Sequence, residues 1–272
     1  MSIKKTLTIA GSDSSGGAGL QADLKTFEEY GTFGFSAITT IVTMDPDNNW
    51  AHGVTPIDAK LVREQLKTIL SGGPVDAMKT GMLGSIDIIK ATREVIDQYD
   101  LKNVVIDPVM VCKGEDELIQ PENATAIRDL LLPKAIITTP NLFEAGQLSG
   151  LGKLTTIDDM KAAAKKIIDL GAKYVVIKGG KALKSEKAID LLYDGQDFTV
   201  FEVDKIAASH NHGAGCTFAA AITAGLAKGM SVPEAVSKAK DFVTAAIKEG
   251  FPLNQFIGPV WHGAYNQAEK RI

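Results

Sequence analysis

The sequence predicts an α/β protein: a mainly parallel sheet with helices on both faces. Three observations predict it. Short apolar, β-rich runs alternate with longer amphipathic stretches. Those stretches begin and end on helix-capping residues. The composition, 45% hydrophobic and 23% charged over 272 residues, is that of an ordinary globular chain.

The first strand is expected over residues 6–11 (TLTIAG). Further strands are expected over 35–43, 75–81, 103–109, 135–140 and 174–180. Continuous apolar runs of this kind suit strands covered on both faces. Helical patterns lie between them. LQADLKTFEEYG closes on Gly31, and DAKLVREQLKTILSGG stops at two glycines. SIDIIKATREVIDQYD opens on Ser85, while TIDDMKAAAKKIIDLG pairs Thr156 with Asp159 and ends on Gly171. Strand–helix–strand repetition predicts right-handed crossovers. After Gly180, AIDLLYDGQDFTVFEV reads as a hairpin turning at DGQD. VPEAVSKAKDFVTAAIKEG has Pro233 in its first turn and Gly250 at its end, as a helix should. There is no linker, repeat or low-complexity stretch, so a single domain over 1–272 is expected. Trp50 and His52 fall in a loop with no spacing partner.

Charge and cysteine usage narrow the function classes. Lysine and arginine number 29 against 33 acidic residues, a net charge of −4. A mildly acidic chain without a basic block gives no support for nucleic-acid or membrane binding. The start, MSIKKTLTIAG, is too short an apolar run for a signal peptide, and no segment approaches a membrane span. Two cysteines cannot make a disulfide framework, and none of the four histidines has zinc-ligand spacing. A cytoplasmic protein with free thiols is expected.

In open parallel sheets, ligands sit beyond the carboxyl ends of the strands. The segments there hold most of the glycines and unusual polar residues. In HGAGC, Gly213, Ala214 and Gly215 precede an apolar helical run, and amides at a helix start bind anions. The same dipole favours a thiolate at Cys216, which can orient or deprotonate a hydroxyl; a small buried cysteine packing the helix start is the other reading. In GSDSSGGAG, Asp13 is either a substrate hydrogen-bond partner or a cap. In TPNLFEA, Asn141 and Glu144 either serve a magnesium ion or form a cap with a first-turn acid. Lys178, before Gly179 and Gly180, meets phosphates or is a surface lysine. Asp107, at a strand end, suits a metal or its waters. Cys112, beside Lys113, sits in a segment (111–118) that reads as a flap; an inert, half-buried cysteine is the alternative. Met44, Met78, Met82 and Met110 read as core, or as an apolar pocket wall.

Taken in order, TIAGSDSSGGAGLQADLKTF, DAMKTGML, VIDPVM, TPNLFEA, VIKGG and HGAGCTFAAA resemble the ribokinase superfamily. Within it they resemble the hydroxymethylpyrimidine kinase and pyridoxal kinase group, most of all its bacterial pyridoxal kinases. The resemblance spans nearly the whole chain. It implies a ribokinase-like three-layer fold with a small β flap. It also implies ATP and Mg²⁺ as cofactors, a hydroxymethyl group on a small heteroaromatic ring as acceptor, and often a homodimer. Carried over by position, the anion hole falls on Gly213, Ala214, Gly215 and Cys216, with Cys216 as base. The metal falls to Asp107 and Glu144. Nucleotide contacts fall on Asn141, Lys178, Gly179, Gly180, Lys181, Ala182, Asp190, Gly215 and Lys240. The substrate pocket falls on Gly11, Asp13, Ala18, Val42, Met82 and Val109.

Two departures bear on substrate. Hydroxymethylpyrimidine kinases typically carry a polar residue where Met44 stands, and a small residue where Cys112 stands. Losing a buried hydrogen bond costs roughly 1–3 kcal/mol, which weakens pyrimidine recognition. A thiolate adds reversibly to an aldehyde, so Cys112 is expected to form a hemithioacetal with pyridoxal. Phosphorylation of pyridoxal, pyridoxine and pyridoxamine is the leading expectation. A hydroxymethylpyrimidine (phosphate) kinase of thiamine biosynthesis is the alternative, and a non-catalytic vitamer carrier the third.

Overall fold

The computed structural model describes residues 2–110, 121–180, 182–207 and 210–268. Its strands, in chain order, are β1 (Lys5–Asp13), β2 (Phe33–Asp45), β3 (Ala51–Pro56), β4 (Ala77–Thr80), β5 (Val104–Ile106), β6 (Ile137–Thr138), β7 (Tyr174–Lys178), β8 (Lys187–Tyr193) and β9 (Phe198–Asp204). Among the described residues they form one sheet in the order β3-β2-β1-β4-β5-β6-β7-β8-β9. From β2 to β7 neighbouring strands run parallel. At the two edges β3, β8 and β9 pair antiparallel.

The helices are α1 (Gly19–Glu29), α2 (Ala59–Ser71), α3 (Ile86–Gln98), α4 (Pro121–Ala126), α5 (Leu142–Ser149), α6 (Ile157–Asp169), α7 (Ala214–Ala227), α8 (Val232–Lys248) and α9 (Ala264–Ala268). Side-chain alternation along the strands feeds two cores. Leu7, Met78, Val104 and Ile106 pack with Val62 and Leu66 of α2 and Ile88 of α3. Ala77, Val105, Ile137 and Val176 pack on the other face with Phe27 of α1 and with α7 and α8. Helix α7 is buried from Thr217 to Ala227, which is why its sequence is apolar all round.

The expected caps are present. Ser85 accepts from the N–H of Ile88, and Thr156 forms a capping box with Asp159. One expectation is corrected, and one element is new. The stretch around His52, read as a loop, is an antiparallel edge strand; Asn49 and Trp50 turn into it with φ of 50° and 60°. Its mixed, mostly exposed residues lack the apolar run that marks a buried strand. Helix α4, continued by a π-turn over Ile127–Leu131, was not foreseen. No helix among the described residues is long and apolar enough to cross a membrane.

Candidate active site

The carboxyl ends of the central strands open onto one cavity of about 1500 Å³. A pocket for one small ligand fills roughly 300–1000 Å³, so this cavity has room for two. Two glycine-bearing turns meet at its centre, one leading from β1 into α1 and one leading into α7. Their backbones touch. A Cβ on Gly213 would lie 1.8 Å from the Gly17 carbonyl oxygen, and Gly213 itself has φ 81°. Asp13 pins the two turns together. Its Oδ2 accepts from His212 Nε2 at 2.7 Å, Ser15 Oγ at 2.8 Å and the Ala18 N–H at 2.9 Å, while Oδ1 accepts from the Ser15 N–H at 2.9 Å. Burial opposes the charge, yet the bonds from His212 and Ser15 hold the carboxyl down at about 2.

Gly213 is the N-cap of α7, and Ala214, Gly215 and Cys216 form its first turn. The N–H groups of Gly215 and Cys216 have no acceptor among the described residues, which leaves them for an anion. The Lys178 ammonium closes this corner: a Cβ on Gly215 would lie 3.6 Å from its Nζ. The Cys216 side chain is partly open to the cavity, but protein surrounds it. Burial pushes its thiol up to about 11, against the pull of the Lys79 charge. The resting group is therefore a thiol. Burial thus works against the thiolate that a helix start favours.

A row of ion pairs crosses the sheet beneath α7. Lys79 on β4 meets Asp23 of α1 at 2.8 Å, with both side chains fully buried, and Thr8 Oγ1 donates to Asp23 at 2.6 Å. Lys178 at the end of β7 meets Asp107, after β5, at 3.2 Å; Thr139 Oγ1 also donates to Asp107, at 2.9 Å. Lys240 of α8 meets Asp190 of β8 at 2.7 Å. Burial works against the Lys178 charge, but the carboxylates of Asp107 and Glu144 more than restore it.

At the β6–α5 junction, Asn141 and Glu144 form a capping box. The Asn141 side chain accepts from the Glu144 N–H at 2.9 Å, and Glu144 Oε2 accepts from the Asn141 N–H at 2.8 Å. The structural alternative is thus realised. Both residues nevertheless line the cavity, so capping and ligand binding are compatible. Burial pushes the Glu144 carboxyl up to about 7, with Lys178 pulling the other way. Beyond β7, the Gly179 N–H donates to the Ile189 carbonyl at 2.9 Å. A Cβ on Gly179 would reach 2.5 Å from that oxygen, so the approach requires glycine.

The structure brings the expected residues together. Gly11, Asp13, Ala18, Val42, Met82 and Val109 line one end of the cavity, and Asn141, Gly179, Gly180, Ala182, Asp190 and Lys240 line the other. Asp107, Glu144, Lys178 and the first turn of α7 lie on its wall too. Cys112 and Lys181 lie outside the described residues. Of the methionines, Met44 and Met82 face the cavity, whereas Met78 and Met110 are buried. Among the lining residues that sequence reasoning missed are Lys79, His212 and His52. Lys79 was hidden inside a strand run. His212 stood in a quoted motif whose histidines went unused. His52 had no spacing partner to mark it.

Comparison with known proteins agrees with this geometry. A phosphomethylpyrimidine kinase family model matches residues 13–261. The chain is 61% identical over 264 residues to the pyridoxine kinase of Bacillus subtilis (strain 168), covering 97% of each protein. Among solved structures it is similar to an ADP complex of Bacillus subtilis pyridoxal kinase. The TM-score is 0.95 at 60% identity, covering 97% of this chain and 99% of that one. It is also similar to the pyridoxal kinase of Staphylococcus aureus in complex with AMP-PCP and pyridoxal. Here the TM-score is 0.93 at 57% identity, covering 98% and 96% of the two chains. The family match runs from the Asp13 clasp to Trp261 and takes in all of the described cavity wall except Ala10 and Gly11, and the chain belongs to the phosphomethylpyrimidine kinase family.

Proposed function

We propose that this protein is an ATP-dependent kinase of the vitamin B6 vitamers. It transfers the γ-phosphoryl group to the 5′-hydroxymethyl of pyridoxal, pyridoxine or pyridoxamine, and pyridoxal yields pyridoxal 5′-phosphate. The observation that carries the reading is the placement of the α7 start and Lys178 between the two ends of a cavity large enough for two ligands. A phosphoryl group passing between them would meet free amides and an ammonium.

Phosphoryl transfer puts charge on the equatorial oxygens and asks chiefly for positioning and electrostatics. The amides of Gly213, Gly215 and Cys216, with Lys178, supply the electrostatics, while the Ala214 N–H, donating to the Asn211 carbonyl, holds the turn. Cys216 lies where the acceptor hydroxyl would enter. With its thiol pushed up to about 11, it rests as a hydrogen-bonding group that orients the hydroxyl; it takes the hydroxyl proton only from its thiolate form, returning to the thiol as the new P–O bond forms and the bond to ADP breaks. Asn141, Lys178, Gly179, Gly180, Lys181, Ala182, Asp190, Gly215 and Lys240 form the nucleotide side. Gly11, Asp13, Ala18, Val42, Met82 and Val109 form the vitamer side. Asp13, occupied by four donors, serves that side by holding its loop. Cys112 stays, in this reading, the thiol that meets the pyridoxal aldehyde.

Asp107 and Glu144 would hold Mg²⁺. Among the described residues no group of three or more acidic, histidine or cysteine side chains can cage a metal. Two oxygen donors fit an ion carried mainly by phosphates and water. When bound, the ion neutralises phosphate charge. The chain is read as a single, cytoplasmic kinase domain over 1–272 that forms a homodimer, which light scattering checks against the monomer mass.

The second reading is a hydroxymethylpyrimidine kinase, favoured by the family model's own description. The apolar Met44 on the cavity wall argues against it. A coupled ADP assay across pyridoxal, pyridoxine, pyridoxamine and hydroxymethylpyrimidine separates the two. We expect the vitamers to exceed hydroxymethylpyrimidine in kcat/KM by at least about ten-fold, one missing hydrogen bond. The reverse order would establish the second reading. Absence of ADP with every acceptor would leave a carrier.

A further inference from the structure

Most polar side chains on the cavity wall are engaged within the protein. Asp13 and His212 hold each other, Lys79, Lys178 and Lys240 are ion-paired, Lys205 donates to the Leu183 carbonyl, and Asn141 and Glu144 cap α5. His52 differs. It lines the cavity, half-buried, and has no hydrogen-bond or ion-pair partner among the described residues.

Its position follows from strand register. Val42 and Met44 are two apart on β2 and share a face. In the antiparallel β2–β3 pair, His52 stands directly opposite Met44, and Val54 opposite Val42. Opposed residues point to the same side, with Cβ atoms about 4.5–5.5 Å apart. This wall of the cavity therefore presents Val42, Met44 and one imidazole. An aromatic ring seated against Val42 and Met44 has its edge within reach of His52.

We propose that His52 is a specificity-determining residue that hydrogen-bonds the 3-hydroxyl of the vitamer's pyridine ring. The inference rests on the B6 kinase reading and deepens it. A pyridine and a pyrimidine both carry ring nitrogen. The phenolic 3-oxygen belongs to the vitamers alone, and an imidazole pairs with it whichever partner holds the proton. Met44 contributes apolar contact and no hydrogen bond, so β3 supplies the polar contact from across the ladder. A buried polar atom left unmatched is what makes such a site discriminate.

The test compares pyridoxine with 3-deoxypyridoxine on the wild-type protein, His52→Leu and His52→Gln. His52→Leu should raise the KM for pyridoxine by about ten-fold, the worth of one hydrogen bond, with kcat and the KM for MgATP nearly kept. The KM for 3-deoxypyridoxine should be the same on both proteins. His52→Gln, which keeps a donor and an acceptor, should recover part of the pyridoxine KM. A hairpin that merely packs would lose both substrates by the same factor, and that result overturns the proposal. So does an unchanged pyridoxine KM in His52→Leu. If the wild-type protein releases no ADP with any vitamer, the kinase reading itself fails, and this contact with it.

Discussion

Cys216 is the residue at which sequence and structure differ most usefully. Its place at a helix start after two glycines was legible, because strand-end segments and glycine punctuation are local signals. Its protonation state was not. Burial depends on α1, α7 and the sheet closing around it, and burial pushes the thiol up to about 11. Iodoacetamide labelling of Cys216, read by peptide mass spectrometry, should be slow at neutral pH and climb steadily toward pH 11 as the thiolate fraction grows. A plateau near pH 7 would show a low-pKa thiolate instead. Cys216→Ala should cut kcat by at least about a hundred-fold, the usual range for removing a proton-handling group, and leave the thermal midpoint nearly unchanged. Near-wild-type turnover would remove Cys216 from the mechanism. Residues with partners distant in sequence stayed hidden for the same reason. Asp13 is 199 positions from His212, so the sequence could offer Asp13 only as a local cap or a substrate partner.

The elements divide by burial. Strands β1, β5 and β7 are apolar and covered on both faces, and their runs were plain. Strand β3 is an edge strand of mixed, mostly exposed residues, entered through a tryptophan in the left-handed region, and nothing local announced it. The glycines of GSDSSGGAG look like a phosphate cradle. In the fold, their role is to let two turns stack backbone on backbone, as Gly17 against Gly213 shows. Asp13 is the clasp between those turns. Its carboxyl is ionised down to about 2 in the folded protein, below the ordinary 3.8. The unfolded chain thus binds its proton first as pH falls. The stabilisation is fully present above about pH 4 and is lost as pH drops through 2. Asp13→Asn should cost about 2 kcal/mol at pH 7, and the gap to wild type should close below pH 2. Urea titrations at pH 7 and about pH 1.5 measure both ends. An equal gap at the two pH values would mean that the clasp works by shape rather than charge.

At the scale of the whole molecule, the sheet places charge where a hydrophobic core would be expected. Lys79 and Asp23 are fully buried beneath α7, on the same face as the apolar Ala77 and Val105. Such a pair is weak evidence for stability, since its desolvation offsets its attraction. Its location suggests what it is kept for. The Gly19 N–H points at the Cys216 sulfur, and Asp23 lies one helical turn further along α1, holding Lys79. The ammonium is thus a fixed cation near the reacting centre, and it stays charged because the Asp23 and Asp107 carboxylates outweigh its burial. Stability and activity should therefore separate. Asp23→Asn leaves a buried cation uncompensated and should lose roughly 3–5 kcal/mol. The double variant Asp23→Leu with Lys79→Met removes both charges and should return the thermal midpoint to within a few degrees of wild type. Turnover should stay depressed, because the Cys216 thiolate that accepts the hydroxyl proton has lost the cation that favours it. Full recovery of kcat in the double variant would make the pair a packing device. A double variant as unstable as the single one would mean that the fold itself depends on the charges.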